Sequence, residues 1–320
     1  MNTLKPEFSL CAVVPTYRRW PYLLSTVDQL LNQSVVPDEI VVVDQTPERE
    51  IADTDRNNLG KLRLRHPRLI YHRQERPHVY AARNKAAQLA ESDLLLYLDD
   101  DVELDRNLVK CHVDIMSDKN IDALVGYTVS KKEDGNIFTC PVDASSAVDF
   151  AFAFHAYAPE RIERISYCCA NHFCIRRSVL MEVGGWDEHI LTYGDKDMGL
   201  RLAEAGMNIV YDPRPKLVHI GAPDGGTRLS DGKSGWRAWQ RAVSYLYLAY
   251  RHLGGRRFWK YGVLRAMRHT ILLRRNTLRP WTWPSELAGL VKAFVVARRW
   301  AGEGVLSPFV ARDRTGSGKE

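Results

Sequence analysis

The chain alternates short, continuous apolar runs with longer segments in which apolar residues recur every three or four positions. Short apolar runs are typical of strands buried on both faces, whereas the longer spacing predicts amphipathic helices. A succession of strand, helix and strand at this spacing predicts βαβ units. The fold class is therefore α/β, with a mostly parallel sheet flanked by helices. The first predicted strands are residues 9–14, 39–43, 69–71 and 94–98, and the first helices are 21–33 and 79–90.

The same alternation continues to about residue 220. Residues 222–235 are rich in Gly, Asp and Ser, which predicts a loop or a domain boundary. We therefore expect a main domain at residues 1–235 and a basic amphipathic helical region at 236–320. The further predicted helices are 105–117, 177–183 and a segment from Asp195 to about Gly206, and the strands are 123–127, 167–175, 209–211 and 217–220.

Residues 130–166 have no regular pattern but cluster aromatic side chains. They are interpreted either as an apolar loop packed on the main domain or as a wall of a binding site. The clustered residues are Phe150, Phe152, Phe154, His155 and Tyr157.

Asp99, Asp100 and Asp101 directly follow the apolar run at 94–98. Three carboxylates would be costly in a core, so we expect them at the open C-terminal end of the strand, where open α/β sheets bind ligands. Like charges this close repel unless a positive charge holds them, and Mg²⁺ and Mn²⁺ prefer oxygen ligands. The alternative is a solvated acidic turn in which Asp105 caps the next helix. Taken alone, the cluster does not decide between the two interpretations.

Polar residues also follow the first two strands. Asp44 ends the second strand, and Thr16 and Arg18 end the first. Because parallel strands share one C-terminal edge, these side chains and the acidic cluster could line one cleft, although a single Asp after a strand is more often a turn residue. No Gly-x-Gly-x-x-Gly follows the first strand and no Gly-x-x-x-x-Gly-Lys-Ser/Thr occurs, which argues against a Rossmann dinucleotide enzyme and a P-loop protein.

Composition indicates where such a protein would work. The chain is 45% hydrophobic and 26% charged, as ordinary globular proteins are. Its six cysteines show neither zinc-site spacing nor the density of a disulfide scaffold, which predicts a reducing, cytoplasmic compartment. We expect neither a signal peptide nor a membrane span, because the N-terminus lacks an apolar core and no run of about 18 apolar residues occurs.

The net charge of +6 is unevenly distributed. Residues 236–320 hold 17 Lys and Arg against 4 Asp and Glu, so a basic region follows a mildly acidic body. Its two apolar helical stripes predict either attachment to an anionic membrane surface or packing on the body or on a second copy of the chain, as a homo-oligomer. Residues 311–320 are expected to be disordered. The stripes are Trp236, Trp239, Val243, Leu246, Tyr250 and Leu253, and Leu287, Leu290, Val291, Phe294 and Ala297.

Six segments, in order, resemble motifs of the family 2 glycosyltransferases, whose A-type fold is a nucleotide-sugar-binding α/β domain. The resemblance covers residues 10–220, about two thirds of the chain. The chain departs from the family pattern at Gln45, where a second Asp is common, at Gly194, where an acidic residue is frequent, and at Met198, which replaces Leu. The segments are 13–18, 40–44, 82–86, 98–101 (Leu-Asp-Asp-Asp, like the family's Asp-x-Asp), 184–188 and 195–202, with His219 at the family's distance.

The resemblance implies a donor site and a divalent cation, Mn²⁺ or Mg²⁺. Asp101 would ligate the cation directly and Asp99 would bind the cation or the ribose. His219 would complete the site, although a lone His is more often structural. Each implied Arg, taken alone, is more often half of a surface salt bridge. The donor-binding residues implied are Pro15, Thr16, Tyr17, Arg18, Asp44, Arg76, Arg83, Asp99 and Asp100.

Family members invert the anomeric centre, so a carboxylate must take the proton of the acceptor hydroxyl. The resemblance implies Asp195 as this base and Asp197 as the second candidate; both could equally cap the helix. Gly185, Trp186 and Asp187 would contact the acceptor, and Trp186 could equally be a core residue.

The resemblance implies metal-dependent transfer of a sugar from a nucleotide-sugar donor to a saccharide or glycolipid acceptor. Residues 1–130 would form the nucleotide-binding half and 131–235 the acceptor-binding half. The setting would be cell-surface polysaccharide or glycolipid assembly by a cytoplasmic protein, peripheral on the inner face of the membrane, without a nucleic-acid partner. The alternatives are a sugar-phosphate nucleotidylyltransferase, which would need a Gly-rich first loop that the chain lacks, and a non-enzymatic membrane- or nucleic-acid-binding scaffold.

Overall fold

The computed structural model describes residues 7–131, 137–138, 160–226, 234–272 and 283–310. The predicted aromatic cluster at Phe150–Tyr157 and the tail at 311–320 lie outside the described residues, as does the side chain of Trp236.

One mixed sheet forms the centre of the described structure. Its strands are β1 (Leu10–Thr16), β2 (Glu39–Asp44), β3 (Leu69–Arg73), β4 (Leu94–Leu98), β5 (Val102–Leu104), β6 (Ala123–Lys131), β7 (Ile137–Phe138), β8 (His172–Arg176) and β9 (Ile209–His219). They lie in the order β3-β2-β1-β4-β8-β6-β9-β5, with β7 beside β6. The first four strands in this order, β3 to β4, are parallel to one another, as predicted. In contrast, β8 runs antiparallel to β4 and β6, and β5 runs antiparallel to β9.

Helices cover both faces of this sheet. Side chains alternate between the two faces of a strand, and β1 shows the consequence. Cys11 and Val13 join one buried apolar cluster, while Leu10, Ala12 and Val14 join the other. The helices of the body are α1 (Trp20–Leu31), α2 (Asp53–Arg65), α3 (Val79–Leu89), α4 (Leu108–Met116), α5 (Arg177–Glu182) and α6 (Gly194–Glu204), with a 3₁₀ turn at Glu48–Glu50.

The structure differs from the predicted elements in the second half of the sheet. Val102–Leu104 forms the edge strand β5, which was not predicted. The helix predicted to start at residue 105 is α4, which begins at Leu108. The two strands predicted at 209–211 and 217–220 are one strand, β9, whose pairing with β6 shifts between Gly126 and Tyr127. The shift falls at Asp212–Lys216, where Pro213 and Pro215 cannot donate backbone hydrogen bonds.

The C-terminal helices pack on the body and share its core. They are α7 (Ser234–His252), α8 (Gly255–Arg257), a π-helical stretch (Phe258–Val263), α9 (Leu264–His269) and α10 (Trp283–Glu303). Val243 and Leu246 of the predicted stripe are fully buried in the same cluster as Cys11. The C-terminal helices therefore share the hydrophobic core of the body, as one interpretation of the apolar stripes predicted.

The second predicted stripe is divided between two faces of α10. Leu290, Ala293 and Ala297 are buried against the body, and α10 packs along α7. Leu287 and Val291, which the pattern assigned to the same stripe, are instead 53% and 55% exposed. They form a second apolar row with Trp283 and Val295, spaced four residues apart and facing solvent.

Candidate active site

The three carboxylates of the acidic cluster have different environments. Asp99 is about a third exposed, whereas Asp100 and Asp101 are buried. All three follow the C-terminal end of β4, as predicted, but only Asp99 is partly exposed there. Their burial is compensated by specific partners, as buried charges require. The solvated-turn alternative is wrong for Asp100 and Asp101, because both carboxylates are buried.

Asp99, Asp101 and His219 form the one group of potential metal ligands among the described residues, with their ligand atoms all within 4.8 Å of one another. The strand register explains the meeting, because Val102 of β5 pairs with His219 of β9 and so brings Asp101 beside it. His219 Nε2 lies 3.2 Å from Oδ1 of Asp101 and 3.6 Å from Oδ2 of Asp99.

The two oxygens of Asp101 have different surroundings. Oδ2 accepts a hydrogen bond of 2.7 Å from the backbone N–H of Ala222. Oδ1 is buried and accepts no well-aligned hydrogen bond from the described residues. Although burial alone would raise the pKa of Asp101, His219, Arg19 and the Ala222 N–H hold it below its ordinary value. An ionised, buried oxygen beside Asp99 and His219 fits a divalent cation, since Mn²⁺ accepts carboxylate and imidazole ligands.

Arg19 is a site residue that the sequence analysis missed. Its Nη1 lies 3.2 Å from Asp100 Oδ1 and 3.1 Å from Asp101 Oδ2. Its Nε and Nη2 donate to the backbone carbonyls of Asp224 and Ala222. Arg19 therefore fastens the loop after β9 over the acidic cluster. The chain offered no signal for this role beyond its position next to Arg18.

Asp100 is held by its neighbours and is not a member of the group of potential metal ligands. Thr16 donates a 2.6 Å hydrogen bond to its Oδ2. Burial raises the pKa of Asp100 to about 7, against the opposing influence of Arg19 and Thr16. In this structure Asp100 connects β1, α1 and the acidic cluster.

Arg83 links the acidic cluster to the predicted base. It is almost fully buried in α3, and its guanidinium stacks 4.8 Å from the Trp186 ring. Its Nη2 lies 3.7 Å from Asp99 Oδ1, and its Nη1 lies 3.4 Å from Asp195 Oδ1. Asp99 and Asp195, which are far apart in sequence, therefore lie on either side of one guanidinium.

Asp195 is held at the start of α6 with part of its carboxylate open. Its side chain is about a third exposed, and its Oδ2 accepts a 3.2 Å hydrogen bond from the N–H of Ala170. The Tyr80 hydroxyl accepts from the N–H of Gly194, which fixes the start of the helix. Burial raises the pKa of Asp195 above its ordinary value, although Arg83 and the Ala170 N–H oppose this. A raised pKa improves a carboxylate as a proton acceptor.

Asp197, the second candidate base, has a structural environment. It is fully buried and lies 2.7 Å from Arg201, 3.4 Å from Arg251 and 3.0 Å from His252. Burial would raise its pKa, but these cations dominate and lower the pKa of Asp197 to about 2. A carboxylate enclosed in this way does not reach a substrate.

The residues predicted to bind the donor lie around the C-terminal edge of the parallel strands, with unequal access. Asp44 is fully buried and accepts hydrogen bonds from the Thr46 N–H and the Tyr71 hydroxyl. Pro15, Thr16 and Tyr17 are also buried. Arg18 makes an exposed, two-point salt bridge with Glu50, and Arg76 is exposed.

The residues predicted to contact the acceptor are all buried. Trp186 is fully enclosed, stacks on the Tyr80 ring, and lies next to the Arg83 guanidinium, which contacts both rings. Asp187 lies 2.9 Å from Arg251 and accepts from the Tyr247 hydroxyl, so it ties the turn to α7. Gly185 has a φ of +70°, and a Cβ there would meet Phe309 and Asn84. All three residues therefore make structural contacts in this structure, and their role as acceptor contacts stays a prediction.

The family model "Glycosyl transferase family 2" matches residues 11–184 of this chain, which is more than half of it. The chain therefore belongs to glycosyl transferase family 2. The match ends before Asp195 and His219, so the geometry alone brings these two residues to the site.

Individual relatives share part of their length with this chain. It is 24% identical over 229 residues to the O-antigen chain rhamnosyltransferase WbaN of Salmonella anatum, covering 67% of this chain and 66% of WbaN. It is 31% identical over 128 residues to an N-acetylglucosaminyl-diphospho-decaprenol L-rhamnosyltransferase of Mycobacterium tuberculosis, covering 38% and 39%. The chain thus spans two thirds or less of these relatives.

Solved structures share the fold. S. aureus TarS 1-349 in complex with UDP-GlcNAc has a TM-score of 0.59 at 16% identity, covering 90% of this chain and 81% of that one. The mannosyltransferase PcManGT of Pyrobaculum calidifontis, in complex with GDP-Man and Mn²⁺, has a TM-score of 0.51 at 18% identity, covering 92% and 78%. The fold is the A-type glycosyltransferase fold that the family resemblance implied. Across the parts of the chain that the structure describes, no helix has both the length and the hydropathy needed to cross a bilayer.

Proposed function

We propose that this protein transfers a sugar from a nucleotide-sugar donor to a hydroxyl group of a saccharide or lipid-linked acceptor, with inversion of the anomeric centre. One observation carries the proposal: Arg83 stands between Asp99, a member of the group of potential metal ligands, and Asp195, the accessible one of the two candidate bases. Family membership supports glycosyl transfer over nucleotidyl transfer and over a non-enzymatic scaffold.

In this proposal Asp99, Asp101 and His219 hold a divalent cation, Mn²⁺ or Mg²⁺. Bound there, the cation would neutralise charge on the leaving nucleoside diphosphate. Arg83 contributes a second positive charge on the same side. Support comes from the buried, ionised Oδ1 of Asp101, which lacks a well-aligned hydrogen bond from the described residues. The Mn²⁺ in the structurally similar mannosyltransferase is consistent with the same chemistry.

Asp195 acts as the general base on the acceptor hydroxyl. Its partly open carboxylate can reach a ligand, and the Ala170 N–H and Arg83 fix its orientation. Asp197 supports the helix instead. We assign the exposed Arg18 and Arg76, together with Tyr17, to the rim of the donor site, where Arg18 would exchange Glu50 for a donor oxygen. Thr16, Asp44 and Asp100 would shape the floor of that site.

The setting we propose is assembly of a cell-surface polysaccharide or glycolipid at the cytoplasmic face of a membrane. Similarity to enzymes named for O-antigen and diphospho-decaprenol substrates supports this setting. The exposed apolar row of Trp283, Leu287, Val291 and Val295, with Arg298 and Arg299 exposed near its end, supports contact with anionic lipid.

The test is a donor-hydrolysis assay over a panel of nucleotide sugars, with Mn²⁺ and with EDTA. We expect one donor to be hydrolysed slowly with Mn²⁺ and not with EDTA. Asp99→Asn should lower the Mn²⁺-dependent rate at least tenfold. The matched control Asp53→Asn, which removes an exposed carboxylate on α2, should not. Cleavage that is indifferent to both EDTA and Asp99→Asn would overturn the proposal.

A further inference from the structure

Two cations and three tyrosines form a cluster beside Asp195, which we call the cation–tyrosine cluster. Tyr193 and Tyr245 pack with their ring centroids 4.7 Å apart. The Lys196 ammonium lies 5.5 Å from the centroid of Tyr193. The Arg265 guanidinium lies 5.7 Å from the centroids of both Tyr245 and Tyr261. The cluster therefore joins α6, which carries Asp195, to α7 and α9.

Lys196 occupies an unfavourable position for a cation. It lies in the first turn of α6, where the helix dipole favours negative charge. It is only partly exposed, and the pKa of Lys196 is lowered to about 7 by burial and by the nearby Arg265. Burying part of a lysine next to a second cation costs folding free energy. Such locally unfavourable arrangements are found mainly at functional sites.

Tyr193 adds a second irregularity to the same place. It has a φ of +70°, a conformation that costs free energy in a residue other than glycine. Tyr193 directly precedes α6, and its ring contacts both Lys196 and Tyr245. Strained backbone of this kind persists where surrounding structure holds it, often at ligand sites.

We propose that the cation–tyrosine cluster binds the diphosphate group of a lipid-linked acceptor, with Lys196 and Arg265 as its two charged contacts. The inference rests on the proposed function and deepens it. An acceptor held there would present its sugar next to Asp195, the neighbour of Lys196 in the chain. The metal group and Arg83 serve the donor's diphosphate, so the two diphosphates would have separate cations.

The surface next to the cluster favours a lipid rather than a free phosphate. Leu264, which precedes Arg265, is 47% exposed, and Trp259 of the adjoining π-helical stretch is 65% exposed. An isoprenoid chain leaving the diphosphate would find apolar side chains on the same segment. The segment 258–269 thus offers a cation for the diphosphate head of an amphiphile and two exposed apolar side chains for its tail.

The test measures the affinity of the full-length protein for geranyl diphosphate and for geraniol by calorimetry, in EDTA so that no metal bridges the diphosphate. Lys196→Met and Arg265→Gln should each weaken geranyl diphosphate binding at least tenfold. Arg268→Gln, which removes an exposed cation on the same helix, should change it less than twofold. Asp101→Asn should retain it, since the donor's metal group is not involved.

Several results would overturn the inference. They are absence of geranyl diphosphate binding by the wild-type protein, equal losses for geraniol and geranyl diphosphate, and loss of binding in Asp101→Asn but not in Lys196→Met. Melting temperatures report whether Arg265→Gln folds, and Lys196→Met decides the question if it does not. The donor-hydrolysis assay on the wild-type protein judges the proposed function separately, because it contains no acceptor.

Discussion

At the scale of single residues, Arg83 and Arg19 are two buried cations that contact the acidic cluster. Arg83 joins Asp99 to Asp195, and Arg19 joins Asp100 and Asp101 to the loop after β9. Each is almost fully buried among carboxylates. Their charges compensate an acidic cluster that would otherwise be costly to enclose.

Replacing Asp195 by Asn tests the base directly. Asn can still accept the hydrogen bond from Ala170, so the start of α6 should survive, but it cannot take a proton. We expect transfer to fall by on the order of 10²–10⁴-fold while donor binding changes little. Steady-state transfer and nucleotide affinity measure the two effects. Near wild-type transfer in this variant would remove Asp195 from the mechanism.

The pH dependence of the transfer rate of the wild-type protein is a second test of Asp195 as the general base. Because burial raises the pKa of Asp195, the carboxylate becomes protonated at a higher pH than an ordinary Asp. We therefore expect the transfer rate to fall on the acid side at a pH above the ordinary Asp range. Asp195→Asn should lose this limb of the profile. A residual rate with an unchanged acid limb would assign the limb to another group.

A buried histidine pair predicts acid sensitivity of the fold. His112 of α4 and His172 of β8 are fully buried, with their Nε2 atoms 2.9 Å apart. Burial lowers the pKa of His172 to about 3 and that of His112 well below 6.5. The unfolded chain therefore binds more protons below about pH 6.5, and folding stability falls as pH drops, by up to about 1.4 kcal/mol per pH unit for each histidine.

The measurement is the free energy of unfolding between pH 7 and pH 5. His112→Gln should reduce the slope, because one of the two histidines no longer titrates. Both rings are fully buried. If the free energy of unfolding depends on pH equally in the wild type and in the variant, the histidine pair is not the source of the acid sensitivity.

At the scale of elements, α6 and α7 are coupled through buried charges. Arg251 of α7 contacts Asp187 and Asp197, and His252 bridges Asp197 and Glu204. The position of α6, which carries Asp195, therefore depends on contacts with the C-terminal helix α7. A chain truncated at residue 235 would lose these partners as well as apolar core.

The variant Arg251→Met measures how much this coupling contributes to the free energy of unfolding. It leaves the buried carboxylates of Asp187 and Asp197 without one of their cations, and we expect a loss of about 3 kcal/mol in the free energy of unfolding. Arg256→Met, at an exposed position of α8, is the control and should cost little. Equal urea midpoints for the two variants would contradict the coupling.

The elements also show what the sequence could and could not predict. The parallel strands and their acidic ends were predictable, because apolar runs such as 94–98 and 39–43 are buried on both faces. The edge strand β5 was not, because three residues with one exposed side chain give no periodic signal. The burial of Trp186 and Asp197 depends on contacts with Arg83, Arg251 and His252, which lie far away along the chain.

At the scale of the whole molecule, the C-terminal helices present a basic and apolar surface. Residues 236–320 contain 17 Lys and Arg but only 4 Asp and Glu, so the region carries a large excess of positive charge. The predicted stripe on α10 was divided, because Leu290 and Ala297 are buried against the body whereas Leu287 and Val291 belong to the exposed row. Periodicity indicated an amphipathic helix but not which of its apolar rows the body would cover.

Substituting the exposed row tests membrane contact. Leu287→Glu combined with Val291→Glu should abolish cosedimentation with phosphatidylglycerol vesicles at low salt. Wild-type binding should weaken as salt rises, because each near-surface cation contributes about 1 kcal/mol that salt screens. Leu64→Glu, at an 89% exposed position of α2, is the matched control. An oligomer that ignores vesicles and is broken by the double substitution would make the row a subunit interface instead.

The most direct test of the whole account is the stabilisation of the protein by nucleoside diphosphates with and without Mn²⁺. A ligand that binds only the folded state raises the melting temperature as its concentration exceeds its dissociation constant. We predict that one nucleoside diphosphate stabilises the wild-type protein only with Mn²⁺, that Asp101→Asn abolishes this effect, and that Asp195→Asn retains it. Equal Mn²⁺-dependent stabilisation of wild type and Asp101→Asn would contradict the proposed metal and donor site.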